Sequence, residues 1–230
     1  MPRRSRRTIP EIKINGYSQY QLILPPDLGL EAGDASMLIT LKEVLGFADS
    51  IGIGLNTQTL ITGIGSVGLA FCKAVKILGA YPVIAAARRE SQFPLALSLG
   101  ADYVINTEKQ DLTEAVMEIT KGQGATRLVD VTGSAGYVAR CLPALAPDGK
   151  ICPYGRYPVD DPLTDHVPEE RILKGATGEV RTHDFICSAI RHGLLPDLHR
   201  LYSHRLPFLR LKEGFDMIER KEAFKIVFDM

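Results

Sequence analysis

The stretch Leu60–Gly68, "LITGIGSVG", decides the fold because it joins a buried-strand pattern to a glycine-rich turn and then to a helical pattern. Its three glycines match the spacing G-x-G-x-x-G, in which the first permits a tight turn, the second lets backbone approach a pyrophosphate, and the third lets helix and strand pack closely. The N–H groups that begin the following helix direct partial positive charge toward a diphosphate. The stretch therefore predicts a dinucleotide-binding loop. The predicted contacts are Gly63, Gly65, Ser66, Val67 and Gly68.

Short apolar runs alternate with helical patterns on both sides of this loop. Apolar residues recur at helical spacing from Leu69 to Leu78, for example. Strands separated by helices of about ten residues predict right-handed βαβ units and a parallel sheet covered on both faces. We therefore expect an α/β Rossmann fold with a doubly wound parallel sheet of about six strands. The strand patterns are "QTLITG", "PVIAAA", "YVIN", "TRLVDV", "KICPYG" and "RILKGAT".

The end of the second predicted strand distinguishes between the two nicotinamide cofactors. In NAD-binding proteins of this fold, an Asp or Glu about 20 residues after the loop holds the ribose 2′-hydroxyl. Ala87 stands at that position and cannot accept a hydrogen bond, and Arg88 and Arg89 follow it. Guanidinium groups pair with phosphate through planar, bidentate hydrogen bonds. These three residues therefore favour NADP over NAD.

Other interpretations of the same residues stay open. Arg88 and Arg89 are also typical of solvated loops that follow strands. A glycine-rich turn also occurs in methyltransferases, which bind S-adenosylmethionine and usually carry an acid near the position of Ala87, and in turns that bind no ligand. The strand before the motif, the helix after it and the second strand at the expected distance favour the dinucleotide interpretation.

The composition argues against several other classes of protein. The 230 residues include 27 basic and 27 acidic side chains, so no net charge draws the protein to nucleic acid or to an anionic membrane. No apolar run approaches a membrane span of about 18 residues, and no secretory signal pattern follows the arginines near the start. The four cysteines lack Cys-x-x-Cys spacing, which argues against a disulfide framework and a structural zinc site. We expect a cytoplasmic protein.

The segment from Leu60 to Thr107 resembles the cofactor domain of the medium-chain dehydrogenase/reductases, the superfamily of zinc-type alcohol and polyol dehydrogenases. Its phrase "LGADYVINT" is characteristic of that family, and "LVDVTGSAG", "LAPDGKICPYG" and "ILKGATGE" follow in the family's order. The resemblance covers residues 16–230. It implies that residues 1–30 hold the end of a catalytic domain, residues 31–200 a dinucleotide-binding domain with a crossover helix, and residues 201–230 a helix and strand that return to the catalytic-domain side.

By matching position, the resemblance implies further cofactor contacts on the crossover helix, at two strand ends, in the following segment and at the closing strand. They are Thr40 beside the nicotinamide, Val131, Thr132 and Gly133 on the adenosine side, Tyr154 and Gly155 against the nicotinamide ring, Ala176 and Thr177 at the carboxamide, and Lys225 at the pyrophosphate. Strand-end packing is an alternative role for Thr132 and Tyr154. Lys225 fits equally well as a solvated charge on an edge strand.

In members of this family, the first third of the sequence carries the zinc ligands and the walls of the substrate pocket. That part has no counterpart in the matched sequence. Zinc-dependent relatives also take a Cys or Glu ligand from the crossover helix, where this chain has Leu38, Ile39 and Thr40. The five histidines include no pair at i, i+4 spacing and are predicted to have no Cys partner at ligand spacing. We therefore expect no zinc and assign no catalytic residue. Tyr154 and His204 are the candidates for a proton donor.

The activity implied by the resemblance is hydride transfer between the nicotinamide and an alcohol or carbonyl compound. The alternative is a non-catalytic NADP-binding module or subunit, which would be a truncated or degenerate relative. A partner polypeptide that supplies the missing catalytic domain would favour the enzyme. Family members also pair through the last strand of the sheet, which predicts a homodimer contact near "ILKGATG". No nucleic acid or membrane partner is expected.

Overall fold

Five parallel strands form the main sheet of the computed structural model, which describes residues 24–177, 179–195 and 198–230. These strands are β1 (Thr59–Thr62), β2 (Val83–Ala87), β3 (Tyr103–Asn106), β4 (Ala125–Asp130) and β5 (Leu145–Pro153). The helices are α1 (Ala32–Ser50), α2 (Ser66–Ile77), α3 (Phe93–Ser98), α4 (Leu112–Ile119), α5 (Ala135–Arg140), α6 (Glu179–Arg191) and α7 (Leu211–Glu219). Two further strands, β6 (His204–Pro207) and β7 (Ile226–Asp229), form a separate small sheet.

The strand order of the main sheet reverses direction at β1. The strands lie in the order β3-β2-β1-β4-β5, and all neighbouring pairs are parallel. The pairings of Thr62 with Ala86 and with Asp130 bring the carboxyl ends of β1, β2 and β4 to the same edge. Ligands of open α/β sheets bind in the crevice at such a reversal. The predicted Rossmann fold is therefore confirmed, and this edge is where a site is expected.

Side chains along the central strands alternate between two cores, one on each face of the sheet. Ile61 and Val129 belong to the core that contains residues of α1, α2 and α6. Leu60 and Leu128 belong to the core that contains residues of α4 and α5. All four side chains are fully buried. Burial on both faces explains why these strands appear in the sequence as continuous apolar runs.

The sixth strand predicted over "RILKGAT" does not form, so the sheet has five strands rather than about six. A single parallel bridge joins Ile172 to Ile151, and Leu173 N donates to Ile151 O at 2.8 Å. The chain then leaves the edge of β5, because Ala176 N donates to the hydroxyl of Ser50, the last residue of α1, at 2.8 Å. The homodimer contact expected near "ILKGATG" would lie beside β5 and stays a prediction.

The small sheet of β6 and β7 is attached to the main body through α1. Arg205 lies 2.8 Å from Asp229 at the end of β7 and 2.8 Å from Glu31 just before α1. Val227 is buried in the same core as α1. Helix α7 and strand β7 lie in the region for which a closing helix and strand were predicted, whereas the run "YQLILP" lies largely outside the described residues. Among the described helices, none is both long enough and apolar enough to span a membrane.

The substitution Gly68→Ala is expected to destabilise the fold, because a Cβ at this position would overlap the carbonyl oxygen of Gly63. Gly63 and Gly68 lie on either side of the turn between β1 and α2. Because the added Cβ would clash with backbone, the clash can be relieved only if the turn opens. We expect the free energy of unfolding, measured by urea denaturation, to fall by about 2–3 kcal/mol or more, as at other overpacked sites.

Gly65→Ala is the matched control for this prediction. A Cβ on Gly65 would meet no described atom within 4 Å, and φ at this residue is −69°. Its stability should stay within about 1 kcal/mol of the wild type, since alanine is only a poorer residue at a helix N-cap. Equal unfolding midpoints for Gly68→Ala and the wild type would contradict the packing argument.

Candidate functional site

A cleft of about 420 Å³ opens where the carboxyl ends of β1, β2 and β4 meet. Its lining comes from the turn after β1, the end of β2 with the residues that follow it, the residues after β3 and β4, and α5. The structure therefore brings together residues that were predicted separately from the sequence. They are Gly63, Gly65, Ala87, Arg88, Arg89 and Thr132.

The turn between β1 and α2 presents bare backbone to this cleft. Gly63 has a φ of +86°, a left-handed conformation that glycine adopts without steric cost. Gly65 faces open space, so the fold itself does not require a glycine there. The first hydrogen bond of α2 runs from Leu69 N to Gly65 O at 2.9 Å. The N–H groups of Ser66, Val67 and Gly68 precede it and lack intrahelical acceptors, which suits the binding of an anion.

Arg88 and Arg89 contribute positive charge to the cleft. Both side chains are exposed, and neither forms an ion pair with any other described residue. No described residue of the lining is acidic. The nearest acid in sequence, Glu90, is engaged elsewhere: Asn106 Nδ2 donates to it at 2.8 Å and Lys109 Nζ lies 2.8 Å away, which holds the pKa of Glu90 below its ordinary value. The two guanidinium groups are therefore available to an anionic ligand.

The carboxylate of Asp130 fixes the wall of the cleft that follows β4. It is fully buried and accepts hydrogen bonds from the Thr62 hydroxyl at 2.8 Å, the Thr132 hydroxyl at 2.6 Å and the Thr132 N–H at 3.1 Å. It also accepts from the Gly133 N–H at 2.9 Å and from the Tyr157 hydroxyl at 2.6 Å. Burial, and then the contact with Asp130, raise the pKa of Tyr157. Sequence reasoning missed Asp130, because the donors Thr62 and Tyr157 are distant from it in sequence.

Thr40, predicted beside the nicotinamide, and Lys225, predicted at the pyrophosphate, are in contact. Lys225 Nζ donates to Thr40 Oγ1 at 2.7 Å, which joins α1 to the segment before β7. Burial lowers the pKa of Lys225, and Glu43 opposes that shift. The pair thus forms a half-buried polar contact, which differs from the solvated edge charge considered as an alternative for Lys225. Neither residue lines the cleft.

Tyr154 packs into an aromatic cluster. Its ring meets Phe47 and Phe71 edge-on, with centroid distances of 5.1 Å and 4.9 Å. Its hydroxyl donates to Glu43 Oε2 at 3.3 Å. Tyr154 therefore combines strand-end packing with a polar contact to α1, and it is not on the lining of the cleft.

The remaining predicted residues, Val131, Gly133, Gly155, Ala176 and Thr177, are not on the lining of the cleft. Val131 lies beside the glycine turn, where its Cγ2 would be 3.4 Å from a Cβ on Gly68. Neither Gly133 nor Gly155 has room for a side chain, because a Cβ on Gly133 would overlap the backbone of Arg156 and a Cβ on Gly155 would overlap the backbone of Gly133. Ala176 and Thr177 are exposed on the segment that turns toward α1. Their predicted contact with the carboxamide stays a prediction.

One pair of potential metal ligands was overlooked in the sequence. Cys187 Sγ lies 3.7 Å from His183 Nε2 on α6, so the prediction that no Cys stands at ligand spacing from a His is wrong for this i, i+4 pair. Burial raises the pKa of the Cys187 thiol, whereas a metal ligand must be a thiolate. Within the described ranges, no three His, Cys, Asp or Glu side chains come together in a group that could hold a metal. His204 Nδ1 lies 2.9 Å from the Ser203 hydroxyl.

Comparison with known proteins connects this architecture to dehydrogenases. The sequence profile of a family described as zinc-binding dehydrogenase matches residues 66–187 of the 230. The L-threonine 3-dehydrogenase of Thermococcus kodakarensis is 31% identical over 197 residues, covering 82% of this chain and 56% of the relative. That of Pyrococcus furiosus is 38% identical over 198 residues, covering 82% and 57%. The chain thus spans little more than half the length of the curated relatives it matches.

Solved structures give the same fold. The alcohol dehydrogenase TADH from Thermus sp. ATN1 superposes with a TM-score of 0.78 at 24% identity, over 90% of this chain and 60% of that protein. Benzyl alcohol dehydrogenase from Acinetobacter calcoaceticus superposes with a TM-score of 0.72 at 24% identity, over 87% and 57%. At this level of identity, the likeness supports the fold alone.

The substitution Asp130→Asn is expected to lower the free energy of unfolding by about 1–3 kcal/mol, the cost of breaking buried hydrogen bonds. An amide replaces one carboxylate oxygen with an N–H donor, which would face the N–H and O–H donors around Asp130. Urea denaturation measures the loss.

Asp111→Asn is the matched control, because Asp111 is an exposed N-cap whose carboxylate accepts a bond from Glu114 N at 2.9 Å. Asparagine is an equally good N-cap, so little change is expected. If the two variants were equally stable, the role assigned to the buried carboxylate would be wrong.

Proposed function

Because this chain belongs to the zinc-binding dehydrogenase family, within the medium-chain dehydrogenase/reductases, we propose that its cleft binds NADP(H) as the cofactor of an alcohol or carbonyl oxidoreductase. The observation that carries the proposal is the pair Arg88 and Arg89, two cations without a described ion-pair partner at the end of β2. Membership of the family supports the oxidoreductase class, and the charge of the cleft supports the choice of cofactor.

The lining of the cleft suits a 2′-phosphate better than a free ribose hydroxyl. A phosphomonoester carries a charge of about −1.5 to −2 near neutral pH and three acceptor oxygens. Arg88 and Arg89 can meet that group with bidentate hydrogen bonds. Ala87 neither accepts a hydrogen bond from a ribose hydroxyl nor repels a phosphate. The described lining contains no carboxylate that would compete for the arginines.

The glycine turn suits the pyrophosphate of the same ligand. Gly65 leaves open space at the start of α2, where unpaired N–H groups and the helix dipole favour negative charge. Lys225 supplies a further cation on the side of Thr40. Because burial lowers the pKa of Lys225, a neighbouring anion would stabilise its charged form. We assign Lys225 and Thr40 to the pyrophosphate and nicotinamide side on these grounds.

The proposed substrate class is supported by the named curated relatives, which are L-threonine 3-dehydrogenases. When bound, the nicotinamide ring gives or takes a hydride at an alcohol or carbonyl carbon. The part of this chain is to bind and orient the dinucleotide along the edge of the sheet. Tyr154, whose hydroxyl donates to Glu43, is the proton-holding group that we assign to the nicotinamide side.

The described residues do not fit the zinc ion that the family name implies. On α1, Leu38 is buried, Ile39 is exposed and Thr40 accepts a hydrogen bond from Lys225, so none of these three side chains offers a thiolate, imidazole or carboxylate ligand. The Cys187–His183 pair supplies two ligands where a catalytic site needs three. We therefore derive no step through zinc from this chain.

A second candidate function is cofactor binding without catalysis. The observation that favours it is that the cleft is lined by residues assigned to the adenosine and the pyrophosphate, while Tyr154, Ala176 and Thr177 lie off its lining. A partner polypeptide equivalent to the unmatched part of the relatives would then complete an enzyme. Single-turnover oxidation of NADPH by aldehydes, followed through nicotinamide absorbance, separates the two: turnover by the chain alone supports the enzyme, and turnover only with a partner supports the subunit.

Fluorescence titration of the chain with NADPH and NADH tests the proposed cofactor. We expect NADPH to bind at least about tenfold more tightly, a difference of roughly 1.4 kcal/mol. The double variant Arg88→Ala/Arg89→Ala should lose this preference, because its affinity for NADPH should fall while its affinity for NADH stays nearly unchanged. Equal affinities in the wild type would instead make the two arginines surface charges.

Two further variants make the titration specific. Arg220→Ala removes an exposed arginine just after α7 that is paired with Glu222, and it should bind both nucleotides as the wild type does. Gly65→Ala should lower the affinity for NADPH and for NADH alike, because its methyl group would occupy the space left for the pyrophosphate. Unchanged binding by Gly65→Ala would exclude the glycine turn from the site.

A further inference from the structure

The cleft contains a third arginine that sequence reasoning did not single out. Arg140 is the last residue of α5, and it lines the same cleft as Arg88 and Arg89. Its side chain is exposed and forms no ion pair with the other described residues. Its guanidinium carbon lies 5.8 Å from the centroid of the Tyr137 ring, which also lines the cleft.

Arg140 approaches from a different wall than the other two arginines. Arg88 and Arg89 follow β2, whereas α5 follows β4, and these two strands lie on opposite sides of β1. The space between them is the cleft. A group held there would therefore meet guanidinium groups from both sides.

The charge balance of the cleft favours an anion large enough to use all three arginines. The described lining carries three guanidinium groups and no carboxylate. The acid close to α5 is Asp130, and its buried carboxylate is already occupied by the hydroxyl and N–H donors of Thr62, Thr132, Gly133 and Tyr157. Without a ligand the three cations repel one another through water. A phosphomonoester, with three acceptor oxygens and nearly two negative charges, matches them.

The ring of Tyr137 lies within cation–π distance of Arg140. A guanidinium over an aromatic face is attracted by the ring, and its N–H groups stay free to donate in the plane. The stacked side chain therefore loses less conformational freedom on binding a phosphate than a fully solvated arginine would.

We propose that Arg140 is a phosphate-binding and specificity-determining residue, which holds the 2′-phosphate of an adenine nucleotide from the wall opposite Arg88 and Arg89. This inference rests on the proposed function, because it concerns the same cleft. It adds a second wall to the predicted phosphate site and assigns to α5 a part in choosing between phosphorylated and unphosphorylated nucleotides.

The test compares ADP-ribose 2′-phosphate with ADP-ribose, which differ only in the phosphate and lack the nicotinamide. Isothermal titration of the wild type and of Arg140→Ala gives the affinities. We expect the variant to bind ADP-ribose 2′-phosphate at least about tenfold more weakly, the loss of one charge-assisted hydrogen bond, and to bind ADP-ribose within about twofold of the wild type. Arg140→Lys keeps the positive charge but not the planar set of guanidinium donors. Its affinity for ADP-ribose 2′-phosphate should therefore lie between those of the wild type and Arg140→Ala.

Each other outcome overturns a stated part of the account. If Arg140→Ala weakens both ligands equally, Arg140 stacks on the adenine and does not bind the phosphate. If it matches the wild type while Arg88→Ala/Arg89→Ala loses ADP-ribose 2′-phosphate, the proposed function stands and the role of Arg140 is wrong. If the wild type binds the two ligands equally well, the proposed function is wrong in its choice of NADP over NAD. Arg220→Ala again serves as the control, and thermal unfolding confirms that each variant is folded.

Discussion

The buried carboxylate of Asp130 connects three segments that surround the cleft. Through Thr62 it holds the end of β1, through Thr132 and Gly133 the turn after β4, and through Tyr157 the segment after β5. A buried carboxylate is stable only when its oxygens are satisfied, so these segments have little freedom to rearrange around it. The arrangement of these three segments around the cleft therefore depends on one fully bonded acid.

Two groups of predicted cofactor-binding residues lie along the edge of the sheet, one in the cleft and one beyond it. Its lining combines bare backbone at the glycine turn with arginines that lack described ion-pair partners, which suits the phosphates and ribose of an adenine nucleotide. Beyond it, the Lys225–Thr40 contact and the Tyr154–Glu43 contact join other segments to α1. The predicted adenosine and pyrophosphate side is thus a cavity, while the residues predicted on the nicotinamide side are hydrogen-bonded to neighbouring segments. This difference is the physical reason for separating cofactor binding from catalysis in the proposals above.

Local sequence patterns were sufficient to predict much of this fold, but they did not predict the tertiary contacts. The apolar runs of β1 and β4 predicted strands buried on both faces, and the glycine spacing predicted the turn in which Gly68 packs on Gly63. The run "RILKGAT" had the same apolar character, but the hydrogen bond from Ala176 to Ser50 takes it off the sheet edge. Asp130 and Arg140 were missed because their roles depend on segments distant in sequence. The convergence of five donors on one carboxylate, or of three arginines on one cleft, has no local signature.

A crystal structure of the chain grown with NADP⁺ is the most direct test of the central claim, which is that the glycine turn and the arginines after β2 form one nucleotide site. We expect the pyrophosphate to lie against the turn from Gly63 to Gly68, and the 2′-phosphate to lie within hydrogen-bond distance of Arg88 or Arg89. A nucleotide bound elsewhere, or one in this cleft with its 2′-phosphate turned away from these arginines into solvent, would contradict it.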